Sequence, residues 1–441
     1  METKQTSSCR GWSIVACAFI CDALALGGRS LFAVVLLDWE SEFGWSRSHL
    51  SSSVSLLHIC TAIATPAAGH IVDVFGARNS LALGVGLFAI SLALIGTVNE
   101  TWHLFLFHGF FSGLCLGILN LNIFSAAVMQ ALPEKQHGKA VGIATSGSTF
   151  GQLIVVPIFA LGSKAIGWRN SYFLMAGITF LMAPVSWCIL VNKKDVAEKS
   201  ARVSKPGARE GEEDTLKAKF YRCVQNKYFW YLFFSFTICG ISTTGFLETH
   251  IIAYVVDRGM SKDDGALAFG ILSAFNGLGI LTAGYLSDRY SRPAILGVIF
   301  FVRACCYIVM FAIGNVELLF AFSVVFGLVD YSVVPPVVGL VGRFIGKGAV
   351  GFAMGVLLAS HSVGAAIGAA IGGISHDISG SYNIPLGVCA CLCFVASCLC
   401  FKIPEELIRN KDVQTSGNEG GDTQAATGPG AGIELMQKGQ I

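Results

Sequence analysis

Twelve apolar stretches, each about as long as a bilayer is thick, constrain this chain more than any other feature it has. A helix rises 1.5 Å per residue and the hydrocarbon core is about 30 Å thick, so one crossing needs about 20 mostly apolar residues. Across 441 residues that rule selects 12–37, 50–72, 80–97, 102–129, 140–163, 171–191, 228–256, 266–286, 294–312, 317–341, 349–373 and 384–402. The ninth and tenth are parted only by Gly314 and Asn315. Backbone groups in lipid must bond among themselves, so these runs are expected to be helices. A barrel would instead show alternating runs of about ten residues. The first run is too long for the apolar core of a signal peptide and reads as a span.

Composition agrees and excludes several roles. Only 13% of residues are charged, where a soluble domain carries about a quarter, and the mean hydropathy is +0.65. Lipid is therefore the expected solvent. A formal net charge of +2 offers no electrostatic footprint for nucleic acid. The 15 cysteines sit mostly inside apolar runs, as with Cys389, Cys391, Cys393, Cys398 and Cys400, without paired CxxC spacing. They read as small buried hydrophobes, so no metal is expected. Neither a phosphate-cradling GxxxxGK[ST] loop nor a nucleophile–base constellation is present, so neither an enzyme nor a cofactor is expected.

The spans divide six and six. Between Asn192 and Asn226, lysines and arginines alternate with Glu210, Glu212, Glu213 and Asp214, the composition of a solvated linker. The expected organisation is a tail 1–11, a six-helix bundle 12–191, a linker 192–227, a second bundle 228–402 and a disordered tail 403–441. Basic residues concentrate in the linker and the even-numbered loops, among them Arg78, Lys139, Arg289, Arg292 and Arg343. The positive-inside rule then makes both termini cytoplasmic. Plasma membrane is the default location.

The halves repeat. Between spans 2 and 3 the chain reads Gly69-His-Ile-Val-Asp73-Val-Phe-Gly76-Ala-Arg78, and between spans 8 and 9 it reads Gly284-Tyr-Leu-Ser-Asp288-Arg289-Tyr-Ser-Arg292. Each copy sets a glycine at a helix end, an aspartate four residues on, then a basic residue in a very short loop. The glycine allows close helix approach, the aspartate can accept from exposed N–H groups, and the arginine can pair with a carboxylate or a lipid phosphate. These paired loops resemble the gating signature of the major facilitator superfamily, over about residues 10–402. The resemblance implies an all-α membrane protein of twelve transmembrane helices in two pseudo-symmetric six-helix bundles, with alternating access to a site between them.

Finer features are similar to the monocarboxylate porters and the oxalate/formate-type carriers. They are Phe43-Gly44-Trp45-Ser46-Arg47-Ser48, Gly167-Trp168-Arg169, Asp257-Arg-Gly259-Met-Ser261 and Asp377-Ile-Ser-Gly380-Ser381-Tyr382. Small organic anions, often moved with a proton, are the cargo this implies. An accessory membrane protein stays open as a further partner. Cargo of another kind (a sugar, an amino acid, a drug-like compound) and a non-transporting nutrient receptor are the alternatives.

Charges deep in a span cost roughly 2.5–3.5 kcal/mol on insertion scales, so each needs a reason. Arg29 stands mid-way along span 1 after Gly27 and Gly28. Arg29-Ser30 looks like the counterpart of a substrate-associated Lys-Ser in the monocarboxylate porters, with a planar fork suited to a carboxylate. Asp22 lies two turns earlier on nearly the same face, and a structural ion pair is the rival reading. His361 in span 11 falls where the oxalate-type carriers hold their anion with a lysine. It is a candidate for both anion and proton, or else a neutral interhelical histidine. Asp330 and Tyr331 in span 10 are candidates for proton and substrate, with a structural Arg303–Asp330 pair as the alternative. Polar residues expected along the path are His58, on a span 2 stripe with Ser51, Ser55 and Thr65, then His108, Asn120 and Asn122 on span 4, Gln152, Asn276, and Glu248 and His250 near the outer end of span 7. Where the monocarboxylate porters have an Asp and an Arg four apart in span 8, this chain has Asn276 and Ile280. Lactate–proton cotransport therefore does not carry over directly. Pro335-Pro336 is expected to break span 10.

Overall fold

The apolar runs are all helical in the computed structural model, which describes residues 2–133, 136–190, 216–346 and 349–404. No strand occurs among them. The linker from 191 to 215 and the tail beyond 404 lie outside the described residues, as do the packing around Gly69 and the side chain of Asp73. Among the described residues, eleven segments are long and apolar enough to cross a bilayer. Span 1 is Gly11–Phe43, span 4 Thr101–Ala131, span 5 His137–Ile166, span 6 Trp168–Ile189 and span 7 Lys227–Asp257. Span 8 is Lys262–Ser287, span 9 Arg292–Met310, span 10 Val316–Phe344, span 11 Val350–Ser379 and span 12 Asn383–Phe401.

Spans 2 and 3 form one helical path, Arg47–Gly96. At 1.5 Å per residue it is about 75 Å long, more than twice the hydrocarbon core, so it has to cross twice. The reversal is at Gly76, whose φ of +79° and ψ of 154° are non-helical. A side chain there would be strained, which explains that glycine of the repeated motif. Twelve spans result.

Helix starts obey local chemistry. Ser46, Asn226, Ser291 and Asn315 each accept a backbone N–H at the start of spans 2, 7, 9 and 10. Ser261 and Asp264 close a reciprocal capping box at span 8,. The narrow Gly314-Asn315 gap is thus a real boundary, because Asn315 caps the helix that follows.

Packing repeats with the sequence. Span 1 packs on span 5 as span 7 packs on span 11; span 2 packs on span 4 as span 8 packs on span 10. Span 3 pairs with span 6 as span 9 pairs with span 12. Contacts between the halves run from span 2 to span 11 and from span 5 to span 8, which exchange under the same operation. A pseudo-two-fold relation follows, and residues up to Ile403 form one compact unit.

Glycine sets the closest approaches at symmetry-related places. A Cβ on Gly151 of span 5 would lie 2.0 Å from the carbonyl oxygen of Ala23 in span 1. On Gly368 of span 11 it would lie 2.0 Å from that of Ile241 in span 7. Without a hydrophobic drive between helices in lipid, such contact supplies the attraction. Gly368→Ala should therefore destabilise by about 1–3 kcal/mol, seen as a lowered thermal unfolding midpoint of the purified protein. Gly177→Ala, whose Cβ would meet nothing within 4 Å, should leave it unchanged.

Candidate functional site

Interior polar groups gather around a cavity of about 280 Å³ between the halves, near the small end of ligand pockets, which run about 300–1,000 Å³. Arg29, Asp22, His58, Asn120, Tyr331 and His361 all line it. It runs from Arg29 toward the end of the bundle that carries the chain termini, since Asp22 and Thr65 lie on that side in spans 1 and 2. Local geometry turns these side chains inward. Span 4 is interrupted at Leu119 and Asn120, span 5 between Thr145 and Gly147, and span 10 at Asp330. Span 7 carries a π-helical turn, Gly240–Leu247, which brings Thr244 to the wall.

Arg29 sits at the blind end with 16% of its side chain exposed. Its guanidinium does not pair with Asp22. It donates to Glu248 of span 7, whose other oxygen accepts the Tyr331 hydroxyl at 2.7 Å. Asp22 instead accepts the backbone N–H of Ser148 at 2.7 Å, in the first turn of the helix that resumes span 5, where a carboxylate is favoured by the exposed N–H groups. Beyond Arg29 lies a void of about 20 Å³ lined by Ser30, His58, His108, Thr244, Glu248 and Thr249. Ser30 is in this void, not the main cavity; its Oγ donates to Leu26 and accepts Gln152 Nε2 at 3.0 Å.

Asn276 and Asp330 fall elsewhere. Neither lines the cavity, and both are fully buried. Asn276 donates to Asp330 at 3.1 Å and accepts the Tyr331 N–H at 2.7 Å. Arg303 of span 9 bonds the Asp330 backbone oxygen, the Val329 oxygen at 3.0 Å and Cys239 Sγ at 3.1 Å. Its guanidinium lies 3.6 Å from the Asp330 carboxylate. Together they hold the break in span 10 against spans 7, 8 and 9. The break turns Tyr331 toward the cavity and Asp330 away from it. Pro335 and Pro336 do not sit at the break; they occupy the first turn of the helix that resumes at Val334, where a missing N–H costs nothing.

The stripe on span 2 splits by depth. Ser55 donates to the Ala366 oxygen of span 11 at 2.7 Å and is an interhelical contact. His58, Thr61 and Thr65 face the cavity. Of the motif residues, the Arg78 guanidinium lies 3.9 Å from the Trp187 ring centroid and that of Arg289 4.1 Å from Tyr285. Arg292 donates to the Ser287 oxygen at 3.2 Å and packs on Gly339 of span 10. Asp288 caps the end of span 8, and Gly284 lies within 4.0 Å, by its would-be Cβ, of Pro335.

Away from the termini, three of the short loop motifs meet. Arg47 bonds Asp257 at 2.5 and 2.9 Å, Glu40 at 3.0 Å and the Tyr382 hydroxyl at 3.1 Å. Asp377 accepts the N–H groups of Arg47 and Ser48 at 3.1 and 2.8 Å, capping span 2. His376 lies 3.2 Å from Asp257, and Lys262 reaches Asp38 at 2.7 Å. Spans 1, 2, 7, 8, 11 and 12 are thereby tied at one end of the bundle. The cavity extends toward the other end.

This geometry agrees with the comparisons. A sequence model described as Major Facilitator Superfamily matches residues 18–281 and 251–419. The chain belongs to the Major Facilitator Superfamily. As a superfamily member it is a transporter and not an enzyme. Among the relatives, an uncharacterized MFS-type transporter, YcxA, of Bacillus subtilis (strain 168) is 26% identical over 87% of this chain and 93% of its own length. Monocarboxylate transporter 12 of Xenopus laevis is 23% identical over 85% and 84%. Among solved structures, a bacterial homolog to the human lysosomal transporter Spinster, in an inward-facing and unoccupied conformation, aligns with a TM-score of 0.74 at 15% identity. That alignment covers 89% of this chain and 96% of the other.

Sequence reasoning has Glu248 only as a polar candidate along the path near the outer end of span 7, and misses its pairing with Arg29. The usable signal was the repeat: spans 1 and 7 are counterparts, so opposite charges at similar depth in them face one another. The Arg47 cluster predicts a separate outcome. Arg47→Gln should loosen the closed end, and hydrogen exchange over residues 40–52, 252–262 and 374–384 should speed up while the spans 3 and 9 stay unchanged.

Proposed function

We propose that this transporter carries a small organic anion, a monocarboxylate in the first instance, and that Arg29 is the cation that receives it. The observation that carries this reading is the position of Arg29. Its guanidinium lies at the blind end of a small central cavity, partly exposed, on a helix whose glycines keep the neighbours close. A carboxylate matches the planar fork of that group in a bidentate way. Among the described residues lining the cavity it is the only permanently charged cation. His58, Asn120, Tyr331 and His361 would contact the rest of the solute. The small volume disfavours a large drug-like cargo, and the name of the Xenopus relative points to the same substrate class.

Access alternates as the two six-helix halves, 12–191 and 228–402, rock about the central site. The Arg47 cluster holds one end shut in the conformation seen here. Both termini and the linker are cytoplasmic by the positive-inside rule, so the end toward which the cavity extends faces the cytoplasm, and the plasma membrane is the expected location. The repeated loops at Gly69–Arg78 and Gly284–Arg292 brace the moving ends.

Uptake of labelled pyruvate, lactate, acetate and benzoate into proteoliposomes tests this. At least one should accumulate, and unlabelled carboxylates should compete where sugars, neutral amino acids and organic cations do not. Arg29→Gln should weaken apparent affinity roughly ten- to hundred-fold, since a hydrogen bond to a charged group contributes about 1.5–3 kcal/mol. Normal transport by that variant sinks the assignment of Arg29. Saturable binding without flux would favour a receptor instead.

A further inference from the structure

Within the anion-carrier reading, on which this inference rests, we propose that Glu248 is the proton carrier that accompanies the anion. Ionised, Glu248 occupies the guanidinium of Arg29; protonated, it gives that guanidinium up to the substrate carboxylate.

The charge balance of the site demands such a group. Arg29 is one cation, and Glu248 and Asp22 are two carboxylates on the walls of the two adjoining spaces that Arg29 lines. An anion entering with both carboxylates ionised would add a third negative charge to a site that low-dielectric protein walls screen poorly. It would also find its only strong cation already bonded to Glu248. A proton on Glu248 removes both obstacles at once.

The other titratable groups do not achieve this. Asp22 is bonded to the N–H of Ser148 and not to Arg29, so its protonation leaves the guanidinium occupied. Asp330 is held by Asn276 and Arg303 behind the cavity wall. His361 lines the cavity on span 11; a proton there adds charge but frees nothing. Facing Glu248 are Arg29 from span 1, His58 from span 2, His108 from span 4, Tyr331 and Asp330 from span 10 and His361 from span 11. Among the described residues, Arg29 and Tyr331 donate hydrogen bonds to its carboxylate.

The surroundings also suit the protonated form. The Tyr331 hydroxyl keeps donating to one carboxyl oxygen. The new carboxyl O–H has an acceptor available in Thr244, whose Oγ1 is buried without a partner and lines the same void. That void, of about 20 Å³, is large enough for one water molecule, which needs roughly 10–15 Å³, and it lies between Glu248 and His58, which also lines the main cavity. The proton bound to Glu248 crosses with the anion bound to Arg29. On release of both, the carboxylate returns to the guanidinium. One anion and one proton move together, so the cycle is electroneutral.

Glu248→Gln mimics the protonated side chain permanently, and it separates coupling from transport. In proteoliposomes the parent should accumulate labelled pyruvate or acetate along an imposed proton gradient, up to roughly tenfold per pH unit. The Gln variant should still exchange labelled for unlabelled carboxylate, at a changed rate, but show no gradient-driven accumulation. Glu248→Asp keeps a titratable group and should keep the gradient response at a lower rate. In thermal-shift measurements, protection of the parent by pyruvate should grow as pH falls, while the Gln variant should be protected equally at every pH. Gradient-driven accumulation by Glu248→Gln at the parental level overturns the proposal. So does a monodisperse Gln variant that no carboxylate protects. If the parent itself neither binds nor moves any of these acids, the anion-carrier reading falls first, a result distinct from failure at Glu248.

Discussion

A peptide group in hydrocarbon has no water to bond, and this one constraint organises the molecule. It forces the spans to be helical from end to end, except where neighbouring protein or a polar cavity can satisfy the freed groups. The departures from regular helix therefore mark the interior that matters. Leu119 and Asn120 at the break in span 4, Thr145 at the break in span 5, Thr244 in the π-turn of span 7 and Tyr331 after the break in span 10 all line the same cavity. Four separate irregularities converge on one space of about 280 Å³.

Breaks of this kind need support, and the structure supplies it with buried polar groups. The interruption in span 10 is held by Arg303, Asn276 and the backbone around Val329 and Asp330. That in span 5 is capped by Asp22 from span 1. Burying a charge is tolerated only with partners, and removing one partner strands the other at a cost of about 3–5 kcal/mol. These charges are thus better understood as fixtures of the cavity wall than as cavity contents, and Arg29 with Glu248 differs from them. That pair is on the lining, with Arg29 partly exposed and Glu248 buried, and its components come from different halves of the repeat.

Much of this architecture was legible in the sequence because length and apolarity leave few choices in a bilayer. The twelve spans, the repeat and the reversal near Gly76 follow from counting residues against a known thickness. Candidate residues on regular helix were also legible: Arg29, His58 and His361 line the cavity on unbroken stretches. Asn276 and Asp330 were not, because the side that a residue presents after a helix break depends on the break's geometry. Periodicity stops there. Partnership was less legible still. Nothing local to Glu248 names Arg29, 219 residues away, and only the equivalence of spans 1 and 7 brings them together. The loop motifs at Arg47, Asp257 and Asp377 had been recognisable singly as family features, yet their common purpose appears only when they meet at one end of the bundle.

That meeting separates two uses of the same chemistry. The Arg47 cluster is a multiply bonded ion network whose carboxylates are partly exposed, 28% for Asp257 and 34% for Glu40. Water can take over each bond as it opens, so the ends can part without stranding a charge in lipid. The central pair has no such exchange partner, since Glu248 is only 7% exposed. Its separation is uphill unless another group arrives to satisfy the guanidinium and the carboxylate is neutralised. A closure that solvent can dissolve and a centre that only a ligand can open are what a carrier requires. The ends must move in every cycle, while an unloaded centre must resist the passage of a bare ion.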